Sequence, residues 1–294
     1  MPEQQLPPRD FDSISPSAKW ILIMKAHTTI PFSKRAMELV SAPEKFEPDF
    51  ENPDLSFWVR TMHFENRYKS INHLMEGIDA KNILELSSGF SFRGLDLAQH
   101  SDVHYIDTDL PDMVAQKQKL VNTLKKELPA PKGTYELATL NALDEKSFDE
   151  LVSHFLPGEL TIVNEGLLMY LNTTEKEKLC RNIHKILLER GGCWITADIY
   201  IALKPRGLEL NVGPEMKKFF EVQKIEENYF KSFEQAAEFF DSMGFIVDKK
   251  FDGDYSKLSV LPQLIKRTTP EDIKKFAEMP KIHSRWRLRV KNSS

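Results

Sequence analysis

One stretch, Asn82 to Leu110 (NILELSSGFSFRGLDLAQHSDVHYIDTDL), limits what this chain can become. An apolar run, Ile83-Leu84-Glu85-Leu86, reads as a strand and leads into a small-residue turn, Ser87-Ser88-Gly89. A helix-like segment follows, and a second strand, Val103 to Ile106, ends at two acids, Asp107 and Asp109. Strand, turn, helix and strand in that order, closed by a carboxylate, form the nucleoside-holding unit of a Rossmann-like sheet. The turn offers backbone N–H groups and a helix N-terminus, and an acid roughly 20 residues on can accept from ribose hydroxyls.

The turn also discriminates between nucleosides. A pyrophosphate must approach bare backbone, so a dinucleotide turn wants three glycines. Here Gly89 keeps one, while Ser87 and Ser91 occupy the flanking positions. Such a turn suits a nucleoside without phosphate, of which S-adenosylmethionine is the common one. A nicotinamide-dependent oxidoreductase on the same fold is the first alternative, and the missing glycines count against it. A nucleoside-binding or interaction protein without catalysis is the second.

With 294 residues and 41% apolar content, the chain can build one large α/β domain, with or without a cap. Its net charge of −4 points to neither nucleic acid nor an anionic membrane as partner. Cys180 and Cys193 are too few for a disulfide framework or a metal site and read as buried thiols. The start, MPEQQLPPRD, lacks a signal-like apolar run, and nothing approaches the ~20 apolar residues of a bilayer span. A soluble cytoplasmic protein is expected.

Along the chain, residues 1 to about 15 are polar and proline-rich and read as loosely attached. Ala18, Ile21, Leu22 and Lys25 share one helical face, and Phe32 to Val40 makes a second helix. After the loop SAPEKFEPDFENPD comes a long helix, Phe57 to Gly77, capped by Asp54 or Ser56. Residues 1–78 thus form an N-terminal helical segment covering the site, and 79–294 the Rossmann-like domain. Helices over Pro111–Leu128, Lys146–Phe155 and from a cap at Thr173 to Glu189 alternate with strands at Tyr135–Thr139, Leu160–Asn164 and Cys193–Ala197. That alternation predicts a doubly wound, mostly parallel sheet. An insertion over about 200–231, with Pro205, Gly207, Gly213, Pro214, Phe219 and Phe220, breaks the pattern and reads as a lid over the ligand side. A helix (Phe233–Met243), a strand (Phe245–Phe251) and a last strand (Ile282–Val290) close the sheet, one of them antiparallel.

Three segments together carry a resemblance. They are Leu86-Ser-Ser-Gly89-Phe-Ser-Phe-Arg93, then Tyr105-Ile-Asp107-Thr-Asp109-Leu-Pro111 with Lys117 downstream, and Asn164-Glu165-Gly-Leu-Leu-Met-Tyr170-Leu. From about Ser17 to Leu188 the chain resembles the leucine carboxyl methyltransferase family, which includes enzymes of the protein phosphatase and tetracenomycin-type polyketide kinds. The resemblance implies a class I S-adenosylmethionine-dependent O-methyltransferase, with S-adenosylhomocysteine as product and a small molecule or peptide terminus as acceptor.

The resemblance also implies site residues. Arg67 matches an arginine that meets the methionine carboxylate, and Lys19 or Lys25 a basic residue that closes the site. Ser87 and Gly89 stand at the turn, with Glu85 before it and Arg93 after it. Asp109, followed by Leu110, matches the ribose ligand, with Asp107 as the neighbouring choice. Asn141 and Ala142 fall beside the adenine, and Glu165 near the methionine end. Ser87 and Ser91 depart from the family's Gly-x-Gly-x-Asp-x-Arg turn, and a Cβ at 87 crowds a backbone that needs positive φ. No metal site is expected.

Plainer readings stand beside each assignment. The two aspartates can be a strand end and a helix cap, Glu165 a solvated loop acid, and Arg93 a structural partner for nearby acids. Tyr170, Tyr200 and His27 are the weak candidates for a catalytic group. Tyr170 reads equally as a rim aromatic and His27 as a surface helix histidine. A carboxylate acceptor needs no base, whereas a phenol, with pKa near ~10, is helped by one. No base is evident in the sequence, which leans toward a carboxyl acceptor.

Overall fold

The structure is a computed structural model, and the residues it describes are 15–41, 49–202, 221 and 225–291. Three helices come first: α1 (Ser15–Lys25), α2 (Ser33–Ser41) and α3 (Leu55–Met75). Asp54, rather than Ser56, caps α3 by accepting from the Phe57 N–H. Then strands and helices alternate: β1 (Asn82–Leu86), α4 (Arg93–His100), β2 (His104–Asp109), α5 (Pro111–Lys126), β3 (Thr134–Thr139), α6 (Glu145–Val152), β4 (Leu160–Asn164), α7 (Thr173–Arg190) and β5 (Gly192–Tyr200). The chain ends with α8 (Phe233–Ser242), β6 (Phe245–Phe251), α9 (Leu261–Ile265), α10 (Pro270–Glu278) and β7 (His283–Val290).

The seven strands form one sheet in the order β3-β2-β1-β4-β5-β7-β6. All neighbours are parallel except β7, which runs antiparallel to both β5 and β6. The order reverses between β1 and β4, so their carboxyl ends open a crevice where the Ser87–Gly89 turn and Glu165 both lie. Two apolar layers cover the sheet. One packs α6, α7 and α8 against residues such as Leu84, Ile162 and Trp194; the other packs Ile71 and Leu74 of α3 against Ile83, Val163 and Ile195. α4 can lie close on β2 because residue 94 is glycine: a Cβ there would stand 2.4 Å from the Tyr105 ring.

Several boundaries differ from the pattern-based expectation. β2 continues through Asp109, since Asp107 is buried in the sheet by partners of its own. β5 runs three residues beyond Ala197 because it pairs with β7 as far as Tyr200–His283. Asn172, not Thr173, caps α7, in a reciprocal capping box with Glu175. Residues 258–281, for which the pattern sets no expectation, hold α9 and α10, and Glu65 of α3 ties this stretch down through the Ser259 and Val260 N–H groups. Most of the lid expected over about 200–231, including Pro205 and Phe219-Phe220, lies outside the described residues, as do residues 1–14. Where the chain returns, Ile201 bridges to Phe230.

Candidate active site

The turn after β1 is built for close approach. Ser87 and Gly89 both have φ of 51°, the left-handed region that favours glycine, so Ser87 carries its Cβ at a local cost. Both are half-buried, on the open side of the turn. Beneath them Ser88 is buried: its N–H donates to the Thr108 carbonyl and its hydroxyl accepts from Lys117 Nζ at 2.8 Å.

The two aspartates part company here. Asp107 is fully buried, and its Oδ2 accepts from Lys117 Nζ at 2.7 Å and from the Tyr135 hydroxyl at 2.6 Å. It is a knot under the turn, with its Oδ1 buried and without a hydrogen-bond partner among the described residues. Asp109 is half-buried at the strand end. One oxygen accepts from the Gly89 N–H at 2.7 Å and the other from the Leu110 N–H at 2.8 Å. A carboxylate has about four lone-pair sites, so each oxygen keeps one for a further donor. Burial raises the Asp109 pKa, and the two N–H groups oppose that rise.

Facing the turn is a charge cluster. Glu165, directly after β4, is gripped by Lys25 Nζ at 2.7 Å, Arg93 Nη2 at 2.6 Å and Arg67 Nε at 3.3 Å. Burial opposes its ionisation, yet the three cations prevail and hold its pKa at about 2. Arg93 also donates to the Tyr68 carbonyl and to Asn72, and lies 3.9 Å over the Tyr68 ring. Glu85 is fully buried, accepts from the Tyr105 hydroxyl at 2.6 Å and stands 3.6 Å from Arg93 Nε. It lies inside the sheet, next to the strand that carries the turn's two aspartates. Burial pushes its pKa up, against the pull of Arg93.

α1 brings Lys25 to this cluster, whereas Lys19 is exposed and takes no part. The same helix sets Ala18 3.6 Å from where a Gly89 Cβ would stand, and Ser17 Oγ 3.3 Å from the Tyr170 hydroxyl. Tyr170 thus sits at the rim as a contact for α1. Asn141 is exposed and its Oδ1 accepts from the Leu143 N–H, while Ala142 is buried. Burial of Lys25 lowers its pKa, and Glu165 only partly compensates.

Two groups went unmarked in the sequence. Asp198 of β5 accepts from the Gly166, Leu167 and Leu168 N–H groups at 2.7, 2.7 and 3.1 Å, and so sets the bend that aims Glu165. His63 bonds the Tyr200 hydroxyl at 2.9 Å. Its position one turn before Arg67 was the available signal. His27 lies beyond the end of α1, edge-on to Phe50, Phe57 and Trp58 in an apolar pocket. That corrects its placing on the helix surface.

These residues fit S-adenosylmethionine. Lys25, Arg67 and Arg93 converge on Glu165, Arg93 Nε has no hydrogen-bond partner among the described residues, and a half-free aspartate stands across the turn. The donor set matches a zwitterion-bearing nucleoside with one carboxylate and a ribose.

A family profile described as leucine carboxyl methyltransferase matches residues 15–184, more than half of the chain. No curated protein sequence matches. Among solved structures, the chain is similar to the magnesium protoporphyrin IX methyltransferase of Synechocystis PCC 6803 with bound SAH: 13% identity, 90% of this chain and 96% of that one, TM-score 0.48. It is similar to a putative O-methyltransferase from Nostoc punctiforme PCC 73102, at 12% identity, 97% and 74% coverage and TM-score 0.44. An O-methyltransferase family protein from Burkholderia thailandensis gives 13% identity and TM-score 0.46 over 80% of this chain, which spans 61% of that protein's length. Among the described residues no helix is long and apolar enough to cross a membrane. With its profile match across the turn, both acids and the Glu165 segment, the chain belongs to the leucine carboxyl methyltransferase family and is a class I S-adenosylmethionine-dependent methyltransferase.

Proposed function

We propose that this methyltransferase acts on an oxygen nucleophile, a carboxylate or hydroxyl of a small molecule or a peptide C-terminus. The observation that carries the reading is the buried cluster of Lys25, Arg67 and Arg93 around Glu165, beside the open face of the Ser87–Gly89 turn. Lys25 and Arg67 can donate to an anion beside the turn, and the amino-acid end of the nucleoside provides a carboxylate. S-adenosylmethionine supplies a methyl group already activated on a sulfonium.

The protein's task is then to hold and align. Lys25 and Arg67 take the carboxylate end, with Glu165 keeping both in place. Asp109 takes the ribose hydroxyls on its remaining lone pairs. The backbone at Ser87 and Gly89 lies against the nucleoside, with Leu110 flanking and Asn141–Ala142 on the adenine edge. α1 lies across the turn and keeps water out.

Isothermal titration with S-adenosylhomocysteine tests this. The wild type should bind, and Asp109→Ala should weaken binding by roughly 1.5–3 kcal/mol, the scale of a hydrogen bond to a charged group. Arg67→Ala should weaken it at least as much. Absence of binding to the wild type at millimolar concentration, or equal affinity in all three proteins, overturns the reading.

A further inference from the structure

Lys176 lies at the start of α7 and is only 4% exposed. Its Nζ donates to the Asn228 carbonyl and sits 5.0 Å over the Phe230 ring, and no acid forms an ion pair with it among the described residues. The helix position is also the wrong one for a cation, since the peptide dipoles of a first turn present their positive end. Glu175 and Cys180 of α7 and Asp198 of β5 favour the charged form. Burial holds the Cys180 thiol neutral, and Asp198 is already engaged by three backbone N–H groups. From the facing turn, Glu226 and Glu227 are exposed. Burial outweighs all of these and lowers the Lys176 pKa to about 8.

What Lys176 holds is a clamp, residues 225–230, made of the turn Ile225–Asn228 followed by Tyr229 and Phe230. The Asn228 side-chain amide donates to the Met169 carbonyl, in the loop after β4, at 3.1 Å. Tyr229 stacks on Tyr200 at 5.2 Å, and the Phe230 N–H donates to the Tyr200 carbonyl at 3.0 Å. The Ala202 N–H returns a bond to the Phe230 carbonyl at 2.8 Å. The clamp therefore ties the loop that follows Glu165 to the end of β5 and the start of α7. At neutral pH a charge that seeks water is shut beneath it, where a methionine would fill the space without that cost.

We propose that Lys176 is a release latch for residues 225–230: protonated, it favours the opened clamp, in which its ammonium reaches water, and neutral, it lets the clamp close on the ends of β4 and β5. The proton is exchanged with water and no other covalent bond changes. In the opened clamp the amine regains its ordinary pKa of 10.5, against about 8 in the closed one. Opening is therefore linked to proton binding, fully favoured below pH 8 and progressively less so as pH rises from 8 to 10.5. Between pH 7 and pH 9 the opening equilibrium falls about tenfold.

Amide hydrogen exchange on the full chain tests the latch, because it reads local opening segment by segment. It is run at pH 7 and pH 9 without nucleoside, so the outcome is separate from the acceptor reading above. Each rate is divided by that of unprotected peptide at the same pH. Protection of the Ala202 and Phe230 amides should rise about tenfold from pH 7 to pH 9, while that of Leu160–Asn164 in β4 stays level. Lys176→Met cannot take up the proton, and Lys176→Arg keeps its charge at both pH values. The rise should vanish in each, so either variant suffices if the other fails to fold. Level protection in the wild type, a tenfold rise that persists in a folded variant, or an equal rise throughout β4 overturns the latch.

Discussion

Ser87 holds a φ of 51° with a side chain attached, at the point where the family's turn carries glycine. That conformation costs an L-residue about 1 kcal/mol, part of which glycine would return as unfolded-chain entropy. Ser87→Gly should therefore raise stability by up to about 1 kcal/mol, a gain of a few degrees in thermal unfolding for a domain of this size. A lower midpoint would show that the serine hydroxyl does more than fill space. Residue identities alone could not separate the two aspartates, because positions two apart in a strand share a face. What separates them is Lys117 and Tyr135, which come 10 and 28 residues after Asp107 and claim its oxygen. His63 escaped notice for the same reason: Tyr200 is 137 residues away, and a lone histidine on a helix declares nothing until its partner is known.

α3 shows what element-scale pattern reading can and cannot reach. Its length was legible from Asp54 to the glycine after it, but its role was hidden, because Thr61, Glu65, Asn66, Arg67 and Ser70 are all buried. Apolar periodicity cannot mark a helix whose inner face is a polar network. β5 hides its own role likewise, since Asp198 looks like a polar strand end yet holds the bend after β4 by three backbone N–H groups. Asp198→Ala leaves those donors buried without a partner and should cost about 3 kcal/mol or more. It should also weaken S-adenosylhomocysteine, since Glu165 loses its support. Denaturant unfolding and calorimetric titration read the two effects, and an unchanged affinity in a destabilised variant would confine Asp198 to the scaffold. At Gly166 the geometry is equally tight: φ is 92°, and a Cβ would stand 3.2 Å from Arg67 Nη2.

For the whole molecule, alternation of strands and helices was enough to foresee the doubly wound sheet and its antiparallel closure. The α9–α10 stretch was not, because helices of five and nine residues leave little periodic trace. The charge cluster at the centre of the fold makes stability depend on acid. Glu165 titrates at about 2 in the fold against 4.5 ordinarily, so its contribution is complete above pH 4.5 and disappears as pH falls toward 2. The linked free energy is roughly 3 kcal/mol. Wild type and Glu165→Gln compared by denaturant unfolding should differ by that much less at pH 2 than at pH 5; a pH-independent difference would mean the cations do not stabilise the carboxylate. α1 lies across the Gly89 turn and is fastened to Glu165 through Lys25, an ion pair sealed from solvent. In the binding mode proposed above, each spent nucleoside waits for a helix to lift before it departs, which would set a ceiling on turnover frequency that faster chemistry at the acceptor cannot raise and that added salt hardly relieves.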